Sequence, residues 1–301
     1  MSQAQPQPVN TSEASYNVEP RVIDRHAPDL YAPDATADPL IGLESVEDHH
    51  VELYHSQGFL AIEQAIPPEY IADGLEGMTD LVLGKYPDFR GIAFEASVAK
   101  QVSKLTGDQR LDAMRKLVNF VEYEPRLKRI ADYAPLLDVI RRLMRGRTPE
   151  LYKNQALSKP PKIGREKPWH QDCAYFNVTL DTPVVGCWIA LDEVTIDNGC
   201  MHVLAGGHQQ GPIPHWQRRD WQICDTDIYA LHEEDKPVVA VPLKPGGLLL
   251  FSGLLPHGTP HNDSPKRRRA LQYHYKPADA EECPREDRLA IWGTEGKDVE
   301  C

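Results

Sequence analysis

The feature that most constrains the fold is a change of texture near Gly146. Before it, apolar residues recur at helical spacing; after it, short runs of period two alternate with Pro, Gly, Asn and Asp. On the N-terminal side, Val46 to Gln57 reads as a helix stopping at Gly58, and Phe59-Leu60-Ala61-Ile62 as a short strand. Pro67-Pro68 opens a second helix, running to about Leu83 with Ile71, Leu75, Met78 and Val82 on one face. Two or three more helices are expected between Asp108 and Met144, with Leu111, Met114, Leu117, Val118 and Val121 as one apolar stripe. The strands expected after Gly146 include Glu150–Ser158, Val184–Leu191, Met201–Leu204, Leu248–Ser252 and Ala270–Tyr275. Helices first and strands later predict an α+β fold with a mainly β core, the C-terminal half forming an antiparallel sandwich or barrel.

The 301 residues suffice for one large domain. Residues 1–44, rich in Pro, Asp, Ala, Gln and Ser, read as a disordered or extended arm that Tyr16, Val18 and Tyr31 could anchor. Residues 45–301 then form a single domain. Its insert, 209–237, carries Trp216, Trp221 and Tyr229 and is either a lid or a loop packing its own aromatics. The net charge of -12 argues against a nucleic-acid partner, whose phosphates need clustered Lys and Arg. No apolar run approaches ~18 residues, so no membrane span is expected. Six cysteines without a CxxC pair point to free thiols in a reducing, intracellular setting, hence a cytoplasmic location.

The chemistry is carried by Pro168-Trp169-His170-Gln171-Asp172. In a strand, His170 and Asp172 would project an imidazole and a carboxylate to one face. A third ligand is expected from a neighbouring strand. The apolar run Leu248–Phe251 leads to Pro256-His257-Gly258-Thr259, where a polar end is natural if His257 reaches a metal. Two His and one carboxylate leave coordination positions open and suit non-haem Fe(II), although such a set also holds zinc. Eleven residues after His257, Arg268 opens an alternating strand and shares a face with Ala270, Gln272 and His274. An inward Arg is costly unless it meets an anion, and its fork matches a carboxylate such as that of 2-oxoglutarate. Lys266, Arg267 and Arg269 are expected to be solvated.

These blocks resemble the phytanoyl-CoA dioxygenase family. The resemblance rests on Trp169-His170-Gln171-Asp172, Gly186 to Asp192, Asp197-Asn198-Gly199-Cys200-Met201, Ala205-Gly206-Gly207-His208, and Pro256-His257-Gly258-Thr259 with Arg268; it covers roughly residues 46–280. It implies a double-stranded β-helix, a cupin-like jelly roll preceded and flanked by helices. It implies His170, Asp172 and His257 as ligands of Fe(II), and Arg268 as the salt-bridge partner of 2-oxoglutarate. Trp188 and Thr259 match positions lining the co-substrate, and Lys159 one near it. Gln155, in the same strand region, is a further candidate. Thr259 stands where Ser is common, which keeps the hydroxyl.

The resemblance also implies a reaction with O2 in which 2-oxoglutarate becomes succinate and CO2 while a substrate C–H bond is oxidised, most simply by hydroxylation. Ascorbate is an expected support in vitro. The substrate is a small molecule that the sequence does not identify; Tyr175, Phe176 and Trp216 are candidate pocket residues, and no basic cluster suits a CoA diphosphate. The rival readings are a cupin-type metal-dependent isomerase or hydrolase, which would not need Arg268, and a non-catalytic small-molecule binder, which would not need the ligand set.

Overall fold

The computed structural model describes residues 28–218, 221–223 and 236–293. Along the chain lie β1 (Ala35–Thr36), β2 (Leu40–Ile41), α1 (Asp48–Gln57), β3 (Phe59–Glu63), α2 (Pro68–Val82), β4 (Ile92–Phe94), α3 (Gly107–Leu111) and β5 (Met114–Val118). Next come α4 (Pro125–Ala131), α5 (Ala134–Leu143), β6 (Pro149–Lys159), β7 (Lys167–His170), β8 (Val185–Ala190), β9 (Met201–Leu204), β10 (Trp216–Arg218) and β11 (Trp221–Ile223). The chain continues through β12 (Val238–Val241), β13 (Leu248–Ser252), β14 (His257–Thr259), β15 (Arg268–Pro277) and α6 (Arg285–Trp292).

The strands build an eight-stranded sheet, ordered β2-β3-β13-β8-β15-β6-β5-β4, and a five-stranded sheet, ordered β1-β12-β9-β14-β7. Trp188, Ala190, Leu249, Phe251 and Ala270 from the larger sheet cluster with Met201, Val203, Val239 and Val241 from the smaller, so the two pack face to face. This is the cupin-like α+β architecture expected. The larger sheet turns its other face to the helices. There Tyr273 and Tyr275 are buried and donate their hydroxyls to the carbonyls of Leu127 and Ala131 on α4, each at 2.8 Å. Period-two alternation along β15 thus sends Tyr273 and Tyr275 to the helices, and Arg268, Gln272 and His274 between the sheets.

One expectation needs correction. The stripe from Leu111 to Val121 is not a helical face. Residues 114–118 form β5, hydrogen-bonded to β4 and β6, with Met114 and Leu117 buried. Local spacing there fits either state, and pairing on an open sheet edge decides it. Within residues 28–44, β1 extends the smaller sheet beside β12, and β2 the larger beside β3, both in parallel. Leu30 and Tyr31 are buried against Trp169, Leu204, Ile213 and Val238 on the outer face of the smaller sheet. Tyr31 stacks on Trp169 with centroids 6.1 Å apart, and Trp169 Nε1 donates to the Leu30 carbonyl at 2.9 Å. The other expected anchors, Tyr16 and Val18, lie outside the described residues.

The insert 209–237 carries a short hairpin, β10 with β11, in which Trp216 faces Ile223 across the register. β11 runs beside β7. The side chains of Trp216 and Trp221, and all of Tyr229, lie outside the described residues. No helix among the described residues is long and apolar enough to cross a membrane.

Candidate active site

The smaller sheet brings two imidazoles together by register. His257 on β14 is the direct cross-strand partner of His170 at the end of β7. Both therefore rise from the inner face, with ring centroids 4.2 Å apart. Each ring has Nδ1 against a carbonyl two residues upstream: His170 against Pro168 at 2.8 Å and His257 against Leu255 at 2.9 Å. An Nδ1–H that donates to a carbonyl leaves Nε2 as the free lone pair, the form a metal needs.

Asp172 reaches the same point by a different route from that expected. The strand ends at His170, and Asp172 opens a short 3-10 turn, Asp172–Tyr175. Its carboxylate nonetheless lies 3.4 Å from His170 Nε2 and 3.7 Å from His257 Nε2. The donor atoms of the three residues all fall within 4.8 Å of one another, and all three residues are buried. Gln171 pins this turn. Its side-chain amide donates to the carbonyls of Gly211 at 2.9 Å and Leu254 at 2.6 Å and accepts from the Ile213 amide at 2.8 Å. The Gln171 backbone amide donates to His215 Nε2 at 3.0 Å.

Electrostatics favour the metal-binding protonation states. Burial pushes His170 well below the usual imidazole range, helped by the charge of Lys167, and it lowers His257 as well. Burial alone would raise the Asp172 carboxyl, but the imidazoles of His274, His257 and His170 outweigh it and hold the group well below the carboxylate range. Two neutral imidazoles beside an ionised carboxylate are what a divalent ion requires.

At the start of β15, on the larger sheet, stands Arg268, 2% exposed. Its Nη2 donates to the Gly199 carbonyl at 3.1 Å, while Nε and Nη1 are buried without a partner. Its guanidinium lies 5.3 Å from the centre of the Trp188 ring, whose Nε1 also lacks a partner. Burial lowers the Arg268 pKa to about 10, so it remains a cation at neutral pH. Gly199 has φ +82, and a Cβ there would meet the Pro260 carbonyl at 2.6 Å; only glycine lets this turn come so close to the Arg268 wall.

The remaining candidates divide by position. Thr259 is buried on β14, two residues from His257. Gln155 is buried opposite Gln272 on the inner face. Lys159 is the cross-strand partner of Arg268, but its ammonium donates to the Pro260 carbonyl at 2.7 Å and to the Arg165 carbonyl, so it ties two loops together behind the guanidinium. Tyr175 is half-buried with its ring 6.0 Å from that of His170, beside the cavity. Phe176 is 1% exposed and packs edge to face on Tyr152 and on His274. Of the neighbours of Arg268, Lys266 is exposed beside Glu193, as expected, whereas Arg267 and Arg269 are half-buried in pairs with Asp112 and Asp192. Gln171 and His215 escaped the sequence reading, since nothing local reveals contacts across some forty positions.

The phytanoyl-CoA dioxygenase (PhyH) family model matches residues 54–270. The chain belongs to the phytanoyl-CoA dioxygenase family. As a member it is a 2-oxoglutarate-dependent non-haem iron oxygenase that uses O2. A phytanoyl-CoA dioxygenase of Arabidopsis thaliana is 27% identical over 259 residues, covering 78% of this chain and 90% of that protein. Two solved structures share the fold. The 2-oxoglutarate-dependent carbocyclase SnoK of nogalamycin biosynthesis aligns with a TM-score of 0.65 at 20% identity, over 88% of this chain and 97% of that one. EvdO2 of Micromonospora carbonacea, complexed with 2-oxoglutarate, aligns with a TM-score of 0.61 at 23% identity, over 79% and 93%.

Proposed function

We propose that this family member oxidises a C–H bond of a small molecule, in the simplest case by hydroxylation, with His170, Asp172 and His257 as the iron ligands and Arg268 as the anchor of 2-oxoglutarate. The observation that carries the reading is the pairing of a buried His–Asp–His set with a buried guanidinium whose Nε and Nη1 are unmatched. Unmatched buried donors are rare, and an anionic group meeting the guanidinium would give it the partner it lacks. The donor set fits iron: imidazole nitrogens and one carboxylate, with open positions remaining. When bound, iron supplies the oxidising chemistry that couples decarboxylation of 2-oxoglutarate, giving succinate and CO2, to oxidation of the substrate.

The protein's own part is placement and dryness. Arg268 fixes the distal carboxylate, with Trp188 against the guanidinium, Thr259 and Gln155 on the walls, and Lys159 bracing the loops behind. An ion pair formed in this buried cavity is far stronger than one in water. Tyr175 borders the substrate side, and the β10–β11 hairpin of the 209–237 insert runs beside β7. Residues 45–301, with the arm strands docked on both sheets, form the single catalytic domain.

The test is turnover by purified protein with Fe(II), ascorbate and 2-oxoglutarate, scored as succinate release over a metabolite panel. Turnover should rise with one substrate, and that substrate should gain one oxygen atom from O2. A product lacking that oxygen would refute hydroxylation while keeping the iron reading. Activity independent of 2-oxoglutarate would refute the assignment of Arg268.

A further inference from the structure

We propose that His274 and Gln272 are positioning residues that hold Asp172 in a one-oxygen mode of metal binding: they occupy Oδ2 and leave Oδ1 for the ion. This inference rests on the reading of His170, Asp172 and His257 as the iron ligands. His274 Nε2 lies 2.7 Å from Asp172 Oδ2, and Gln272 Nε2 donates to the same oxygen at 3.2 Å. Both come from the inner face of β15, where Gln272 is the cross-strand partner of Trp188 and His274 that of Gly186. The larger sheet thus reaches across to a ligand carried by the smaller one.

Apart from Asp172, the polar neighbour of the His274 imidazole is Gln272, whose Nε2 lies 3.1 Å from His274 Nε2. It is 0% exposed. Phe176 meets it edge to face at 4.9 Å, and Phe251 does so at 6.3 Å. With Nε2–H donating to the carboxylate, Nδ1 is a bare lone pair, and it is buried without a partner. A phenylalanine would fill this aromatic niche but leave Gln272 as the donor to Asp172 Oδ2. What the imidazole contributes at this position is the bond to Asp172. Gln272 must turn its NH2 toward the carboxylate, because its amide oxygen would face a second acceptor there.

The consequence is chemical. Iron of this type has six positions. Two imidazoles and one carboxylate oxygen leave three, enough for a chelating 2-oxoglutarate and one further small ligand. A carboxylate free to rotate could close on the ion with both oxygens and take one of those positions. Two N–H donors converging on Oδ2 oppose that rotation.

The experiment uses the full-length metal-free protein and Co(II) as probe. Affinity is measured by competition with a fluorescent chelator, and coordination by the visible d–d spectrum. His257→Ala should lose Co(II) binding; if it binds as the wild type does, the iron-site reading itself fails. With that control satisfied, His274→Phe should bind Co(II) about 10–100-fold more weakly with an altered d–d band. His274→Gln, which restores an N–H donor, should recover most of the affinity. Gln272→Leu should show a smaller loss of the same kind and carries the test if His274→Phe does not fold. Affinity within twofold of the wild type with an unchanged spectrum, or equal losses in His274→Phe and His274→Gln, overturns the proposal.

Discussion

Arg268→Met should stabilise the protein and cripple its use of 2-oxoglutarate. In the metal-free protein two guanidinium donors, Nε and Nη1, are buried without partners. Each such orphan costs about 1–3 kcal/mol. Replacing Arg268 by the unbranched, similarly long methionine removes both penalties. It also breaks the 3.1 Å bond to the Gly199 carbonyl, worth about 1 kcal/mol, and loses packing against Trp188. The net expectation is a gain of roughly 1–3 kcal/mol in the metal-free protein. The co-substrate pays the opposite bill. Two charge-assisted bonds to its distal carboxylate, at about 1.5–3 kcal/mol each, correspond to ~10²–10⁴-fold weaker binding. Urea unfolding of the metal-free protein reads the first effect. Calorimetric titration of 2-oxoglutarate into the Co(II)-loaded protein under argon reads the second. A variant that binds 2-oxoglutarate within tenfold of the wild type refutes the anchor. One that unfolds much more easily refutes the idea that the guanidinium is strained when unpaired.

Three further outcomes follow from packing and charge. Gly186→Ala would place a Cβ 2.4 Å from the tip of the Phe251 ring, so stability should fall by about 1–3 kcal/mol; an unchanged melting temperature would show that the ring moves freely. Glu124, buried on the helical side, accepts from Tyr86 and from Arg126. Burial alone would raise its carboxyl, yet those bonds hold it below the usual carboxylate range. Its folded pKa is thus below its unfolded value of about 4.3. Its stabilising contribution is present above that value and disappears as pH falls through the folded one. Glu124→Gln should cost roughly 1–3 kcal/mol at pH 7 and flatten the acid limb of the stability profile, which unfolding at stepped pH would show. Trp169→Phe removes the Nε1 bond to Leu30 but keeps the ring face under Tyr31; a loss of about 1 kcal/mol is expected, seen as a lowered urea midpoint.

The site was legible in the sequence to the extent that its geometry is local. The alternation from Arg268 to His274 reads directly as a strand face, and the face found is the one expected. The co-placement of His170 and His257 needs a register between strands nearly ninety positions apart, which no short window encodes; there a family likeness supplied what spacing could not. Asp172 shows the limit even at short range. The i, i+2 rule places it correctly only because the turn after His170 happens to return the carboxylate to the same side. The Leu111–Val121 stripe misled because apolar side chains declare burial but not the surface they are buried against. The bond between His274 and Asp172 spans one hundred and two positions and both sheets, so only the folded chain reveals it.

The order of the smaller sheet leaves β7, which carries His170, on a rim. What steadies that rim from outside is Leu30 and Tyr31, bound to Trp169 one position before the imidazole. A stretch of chain whose composition invites removal therefore buttresses a metal ligand, and trimming the protein back to residue 45 would loosen the iron centre without touching a single residue that faces it.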